Sequence, residues 1–262
     1  VVRVDGGPRA AVVPLTVPNA ALTVRRLGVV DYAAAAFAMQ AFTAARGPST
    51  VDEIWLLRHP PVYTGGLRCR AAIGGRRNIN GVPLVASDRG GLFTWHGPGQ
   101  IVAYLLLDLR RAGIGVRQLV RGLEQAVIAC IGDYGATAGR MDGAPGVYVG
   151  GAKIAALGLR VRRRCTTHGL SLNVAIDKSA FAAIDPCGVR GLEVTDLRTV
   201  AGDGCSVDIA EVEERLLKHL AAVFGYGDLR SENALPQLSA AQQRVESGEP
   251  GRRTGVHPAA AV

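Results

Sequence analysis

Between residues 89 and 100 the chain reads RGGLFTWHGPGQ, and five of these twelve residues are Gly or Pro. Glycine tolerates backbone angles closed to other residues and proline imposes its own, so this stretch is predicted to be a loop held in a special shape, not a strand or a helix. It carries one arginine, one histidine and much bare backbone, the makings of a pocket floor. An apolar run over residues 101–107 follows and stops at Asp108. A membrane-spanning helix needs roughly twenty such residues, so the run is predicted to be a buried strand.

Around that loop the remaining periodicities give an irregular mixture of strands and helices. Alternation predicts a strand over 22–30, and Asp31 then caps an alanine-rich helix that runs to about Arg46 and ends at Gly47-Pro48. A short apolar strand over 53–58 leads into a long irregular connection marked by Pro60-Pro61 and Gly65-Gly66, returning to a strand near 83–86. A strand over 101–109 precedes a helix over 116–134, in which Val116, Leu119, Val120, Leu123, Val127, Ile128 and Ile131 recur at the spacing of one buried face. Strands are predicted over 146–149, 153–163 and 169–174. A last amphipathic helix starts at Asp208, with Glu211 as its capping-box partner, and buries Ile209, Val212, Leu216, Leu220 and Val223. The order implies an α+β class, mixed sheets covered by helices, in a single domain over 21–226. Residues 1–20 read as an N-terminal tail broken by prolines, and 227–262, rich in Pro, Gly, Ser, Gln and Arg, as a disordered C-terminal tail.

Composition narrows the function classes. The formal charge is +8, carried by 27 arginines and only three lysines, Lys153, Lys178 and Lys218. Thirteen aromatic residues accompany it without the basic–aromatic interleaving of single-strand nucleic-acid binders, so an acidic protein partner is the better expectation and nucleic acid is not expected. The N-terminus offers no signal-peptide stretch, and a cytoplasmic location away from membranes is expected. The five cysteines are odd in number and lack any Cys-x-x-Cys pair, so free thiols are expected. No His, Cys or carboxylate grouping has zinc spacing, and no metal is expected.

Two residues stand out chemically. Alternation on the strand that Lys153 opens would put Ala155, Leu157, Leu159 and Val161 on its face, heading its stem toward the apolar side. A buried lysine can give up a proton near neutral pH, which an arginine cannot, although a strand-end lysine reaching solvent fits the pattern equally. Cys187 sits in a Pro-Cys-Gly turn that can present a thiol beside free backbone N–H groups; taken alone, an intracellular cysteine is more often a small core residue. If the two meet, an ammonium about 4 Å from a thiol favours thiolate by roughly 4 kcal/mol at an effective dielectric of 20, less desolvation. His96 and His168 each precede a glycine and compete as bases. Cys165 and His168, three apart, would face opposite sides of an extended strand, which leaves Cys165 a structural reading.

At these motifs the chain resembles the lipoyl(octanoyl) transferases, the octanoyl-[acyl carrier protein]:protein N-octanoyltransferases. The likeness is carried by Arg89-Gly90-Gly91 with Thr94, His96-Gly97-Pro98-Gly99-Gln100, Gly151-x-Lys153-Ile154-Ala155, Cys165-Thr166-Thr167-His168-Gly169-Leu170 with Leu172-Asn173-Val174, and Pro186-Cys187-Gly188. It extends from about Leu27 to Phe224 and includes His59-Pro60-Pro61-Val62-Tyr63-Thr64. The resemblance implies the biotin/lipoate protein ligase catalytic fold, a thioester on Cys187, and Lys153 as the residue that tunes it. It also implies an acyl pocket lined by Arg89, Gly90, Gly91, Leu92, Phe93, Thr94, Trp95 and His96, by Ala156, Leu157 and Gly158, and by His168, Gly169 and Leu170. The implied donor is octanoyl-acyl carrier protein; the implied acceptors are apo lipoyl domains of 2-oxoacid dehydrogenase E2 subunits and the glycine cleavage H protein, with no cofactor. Leu92 stands where a polar residue is expected, and Arg164 where glycine is common. An ATP-dependent lipoate or biotin ligase, or a non-catalytic lipoyl-domain-binding protein of the same fold, are the alternatives.

Overall fold

A computed structural model describes residues 20–185, 191–202 and 204–236. The chain runs through β1 (Ala21–Val29), α1 (Tyr32–Ala45), β2 (Asp52–Arg58), β3 (Val62–Gly65), a 3-10 turn (Leu67–Cys69), α2 (Arg70–Ile73), β4 (Asn78–Ile79), β5 (Val82–Ala86), β6 (Phe93–His96) and β7 (Gln100–Leu106). It continues through α3 (Val116–Gly132), β8 (Gly146–Val149), β9 (Ala152–Arg162), β10 (Cys165–Asn173), a second 3-10 turn (Lys178–Ala183), α4 (Leu197–Val200), α5 (Ile209–Phe224) and β11 (Asp228–Glu232). Among the described residues no helix is long and apolar enough to cross a membrane.

A seven-stranded mixed sheet, ordered β11-β1-β2-β7-β10-β9-β8, forms the body. Its central strands are apolar on both faces because both are covered. In β2, Ile54 and Leu56 join the cluster under α3 and α5, while Trp55 and Leu57 face Ala35, Ala38 and Met39 of α1. In β7, Ile101, Ala103 and Leu105 divide from Val102, Tyr104 and Leu106 in the same way. A smaller sheet, β4-β5-β3-β6, closes over a third cluster of Tyr63, Leu84, Trp95, Ile176 and Phe181. This is the α+β arrangement of mixed sheets covered by helices that the sequence implies.

Asp31 caps α1 as expected, its carboxylate accepting from the N–H groups of Ala33 and Ala34. Asp208 caps α5 likewise, but Glu211 does not complete a capping box, since its carboxylate takes Arg215 one turn on. Leu119, Leu123, Val127 and Ile131 of α3 are fully buried as predicted, but the buried face departs from the prediction elsewhere. Val116, at the first helical position, is 46% exposed and Val120 and Ile128 are half-buried, whereas Glu124, Ala126 and Cys130 are buried.

The glycine-rich stretch is not all loop. Phe93-Thr94-Trp95-His96, three strand-forming residues and a histidine between two Gly-containing turns, make β6 and pair antiparallel with β3. The chain also keeps regular structure past Gly227, where a tail was expected. β11 runs parallel to β1 in register Ala21↔Asp228 to Arg25↔Glu232, and Arg25 Nη1 donates to Ala234 O at 2.8 Å. Its residues are all exposed, so no hydrophobic alternation announces it.

Candidate active site

A cavity with about 750 Å³ of atom-free space, counted out to its solvent opening, lies between the two sheets. The predicted residues Arg89, Gly91, Leu92, Phe93, Thr94, His96, Ala156, Leu157, Gly158, His168, Gly169 and Leu170 all line it. Gly90 and Trp95 do not. The N–H of Gly90 donates to Leu159 O at 3.0 Å, tying the loop to β9, and the Trp95 ring is turned into the third cluster, edge-on to Phe181. The apolar wall comes from Leu92, Phe93, Val102, Leu157, Leu170, Phe181 and Val194.

Arg89 shapes the floor. Its buried guanidinium donates to Thr64 O (2.7 Å), Thr64 Oγ1 (2.9 Å), Leu92 O (2.7 Å) and Gly90 O (2.9 Å), so it sutures its own loop to β3. A planar fork of fixed donors suits this better than a single ammonium would.

The polar end of the cavity is a set of directed hydrogen bonds. His96 Nδ1 lies 2.7 Å from Gln100 Oε1, and Gln100 Nε2 in turn donates to Trp95 O and to Asn173 Oδ1. Asn173 Nδ2 donates to Thr195 O at 3.0 Å. With the Gln100 oxygen facing it, Nδ1 of His96 carries the proton and Nε2 holds the lone pair. Burial keeps this ring well below the ordinary histidine range, hence neutral. His59 is also held down by burial; its Nδ1 donates to Val30 O and its Nε2 accepts from Tyr104 Oη at 2.7 Å. His168 occupies the left-handed region, φ +61°, inside β10, a conformation that costs a non-glycine residue on the order of 1 kcal/mol or more. That backbone aims Nε2 at Asp88 Oδ1, 2.7 Å away, and the contact draws the Asp88 carboxyl below its usual range.

Lys153 is 3% exposed, and its surroundings correct the face assigned to it. The register between β8 and β9 slips by one residue, from Val147↔Ala155 to Tyr148↔Lys153. This bulge breaks the simple alternation, so Ile154 and Ala155 both enter the core under α3 while Lys153 lines the cavity with Ala156 and Gly158. Its Nζ donates to Pro145 O at 3.1 Å and lies 5.2 Å from the centre of the Tyr148 ring. Gly146, φ +145°, leaves the room, since a Cβ there would stand 2.5 Å from Lys153 Cε. Cys187, with Pro186 and Gly188, lies outside the described residues. Phe181 before that segment and Val194 after it both line the cavity, and Lys153 exchanges backbone hydrogen bonds with Glu193 and Thr195. Burial holds the thiols of Cys69, Cys130 and Cys165 up in their protonated form, Cys130 at about 12.

Residues 31–221 match the family described as the lipoyl protein ligase A/B catalytic domain. An octanoyltransferase of Azoarcus sp. (strain BH72) is 58% identical over 221 residues, 84% of this chain and 93% of that one. The chain belongs to the octanoyltransferase family. A second member, from Aromatoleum aromaticum, is 52% identical over 83% of this chain and 93% of its own. The fold is shared more widely. A bipartite lipoate protein ligase from Thermoplasma acidophilum aligns with TM-score 0.65 at 15% identity, covering 88% of this chain and 91% of that one. A lipoate-protein ligase A bound with ATP aligns with TM-score 0.62 at 15% identity, covering 88% and 94%.

Within this octanoyltransferase-family site, several lining residues escaped prediction: Tyr32, Val102, Tyr104, Ser171, Phe181 and Val194. Tyr32 and Phe181 come from helical segments far from the loop in sequence, and Val102 and Tyr104 read simply as core of β7. Gln100 and Asn173 stood in the quoted motifs, and their polarity inside apolar strands was the available signal of a buried network.

Proposed function

We propose that the protein transfers an octanoyl group from octanoyl-acyl carrier protein to the lysine of an apo lipoyl domain, through a thioester on Cys187. The Cys187 thiolate attacks the donor carbonyl; the carbon–sulfur bond to the carrier breaks, and the departing carrier thiolate takes a proton from the Lys153 ammonium. The acceptor lysine then attacks the enzyme thioester, forming an amide, while neutral Lys153 removes the excess proton and Cys187 leaves as thiolate. The donor is already an activated thioester, so no ATP is consumed.

The observation that carries this reading is Lys153 itself, a buried amine set into the wall of a slot that is apolar along one side and hydrogen-bonded at its other end. The segments on both sides of Cys187 line the same slot, which supports a meeting of sulfur and amine there. An octanoyl tail offers about six methylenes at roughly 0.8 kcal/mol each, so burial against Leu157, Gly158 and Leu170 can supply about 5 kcal/mol before ordering costs.

Intact-protein mass spectrometry after mixing with octanoyl-acyl carrier protein tests the route. The expected result is one octanoyl adduct on the wild-type chain, none on Cys187→Ser, and discharge of the adduct by an apo lipoyl domain. Full activity in Cys187→Ser without an adduct, or activity that needs ATP and free octanoate, would overturn the route and favour a ligase. Lys153→Arg is expected to lower transfer by at least about a hundredfold, because a guanidinium keeps the charge but cannot shuttle a proton.

A further inference from the structure

We infer that Glu124, on α3, is a positioning residue for the Lys153 ammonium. The inference rests on the reading of Lys153 as the partner of Cys187. Glu124 interrupts the buried face of α3: it is 6% exposed, among Leu123, Ala126, Val127, Cys130 and Ile131. A carboxylate there is expensive, and a hydrophobic residue of similar size would serve packing as well or better.

Its two oxygens reach both halves of the cradle under Lys153. Oε1 accepts the N–H of Gly146 at 3.1 Å, which fixes the peptide unit whose carbonyl, Pro145 O, receives Lys153 Nζ. Oε2 accepts Arg140 Nε at 3.0 Å, and Arg140 is further pinned to α3 through Gln125 Oε1 and Arg121 O. Arg140 follows Gly139, whose N–H and carbonyl both pair with Tyr148, the residue whose ring faces the ammonium. One helix carboxylate therefore sets the carbonyl and the ring that hold the amine. Among the described residues, the contacts of this cradle engage the ionisable side chains of Glu124, Arg140 and Tyr148, while Glu193 meets Lys153 through its backbone carbonyl.

Without Glu124 the Gly146 and Arg140 segments lose their anchor, and the ammonium loses its fixed place in the cavity wall. The test is the pH dependence of Cys187 alkylation by iodoacetamide, together with kcat and KM for octanoyl transfer, in wild type, Glu124→Ala, Glu124→Gln and Lys153→Ala. Glu124→Ala is expected to move the alkylation profile upward by about one pH unit, so that the rate at pH 7 falls about tenfold. Glu124→Gln keeps a carbonyl for Gly146 N but gives up the charge on Arg140, and falls between; it also serves if circular dichroism shows Glu124→Ala to be unfolded. KM should change less than kcat. A wild-type profile in the folded Glu124 variants beside a shifted Lys153→Ala overturns the assignment and leaves the dyad standing, even if kcat has dropped. An unshifted Lys153→Ala overturns the dyad reading and this assignment with it.

Discussion

At His59 and His96 the protein holds two imidazoles neutral, each below its ordinary value of 6.5 chiefly because burial penalises the charge. In the unfolded chain both take up protons near that value. Below about pH 6.5 the unfolded state therefore binds more protons, and the stability present above that pH is lost as pH falls, by up to about 1.4 kcal/mol per unit for each ring. Urea midpoints measured from pH 7.5 to 5 should fall accordingly, and a His59→Gln protein should show the shallower dependence. Asp88 acts in a separate window: its carboxyl is drawn below 3.8 by His168, so its contribution persists until the pH drops past that value. Little of this was readable beforehand. The His-Gly pairs suggested a lined site, but the proton's place on His96 is decided by Gln100, Asn173 and Thr195, contributed by three segments that no local spacing connects.

Strands and helices with clear periodicity were legible in the sequence to within a few residues, because both faces of β2 and β7 and the inner face of α5 must be apolar to be covered. The small sheet was harder, since β4 has two residues and β3 and β6 four each, too few to show a period. The bulge in β9 was invisible for a different reason. Nothing in Lys153-Ile154-Ala155 marks an unpaired residue; the slip appears only against β8. It has a cost that can be measured at Gly146. An alanine there would meet Ala155 O at 2.8 Å as well as the Lys153 stem, in a backbone region that side chains rarely adopt. Gly146→Ala should lower unfolding stability by about 1–3 kcal/mol in denaturant titrations and reduce octanoyl transfer more than it reduces lipoyl-domain binding.

For the whole molecule, charge and edges matter most. A chain of net charge +8 attracts acidic proteins over distances of about 10 Å at 0.1 M salt, so the second-order rate of transfer should fall steadily with ionic strength. A rate that stays flat from 20 to about 500 mM salt would remove steering from the account. The pairing of β11 with β1 carries a last consequence. Ending the chain at Gly227 would strip a mostly polar, exposed strand outside the buried core, yet it would bare the hydrogen-bonding rim of β1 over Ala21–Arg25, beside Leu22 and Val24. Such a shortened protein should elute from a sizing column as sticky multimers while its catalytic cleft, which begins at β7 three strands away, stays intact. By that outcome β11 would be a guard against self-association, sewn on after the working parts are complete.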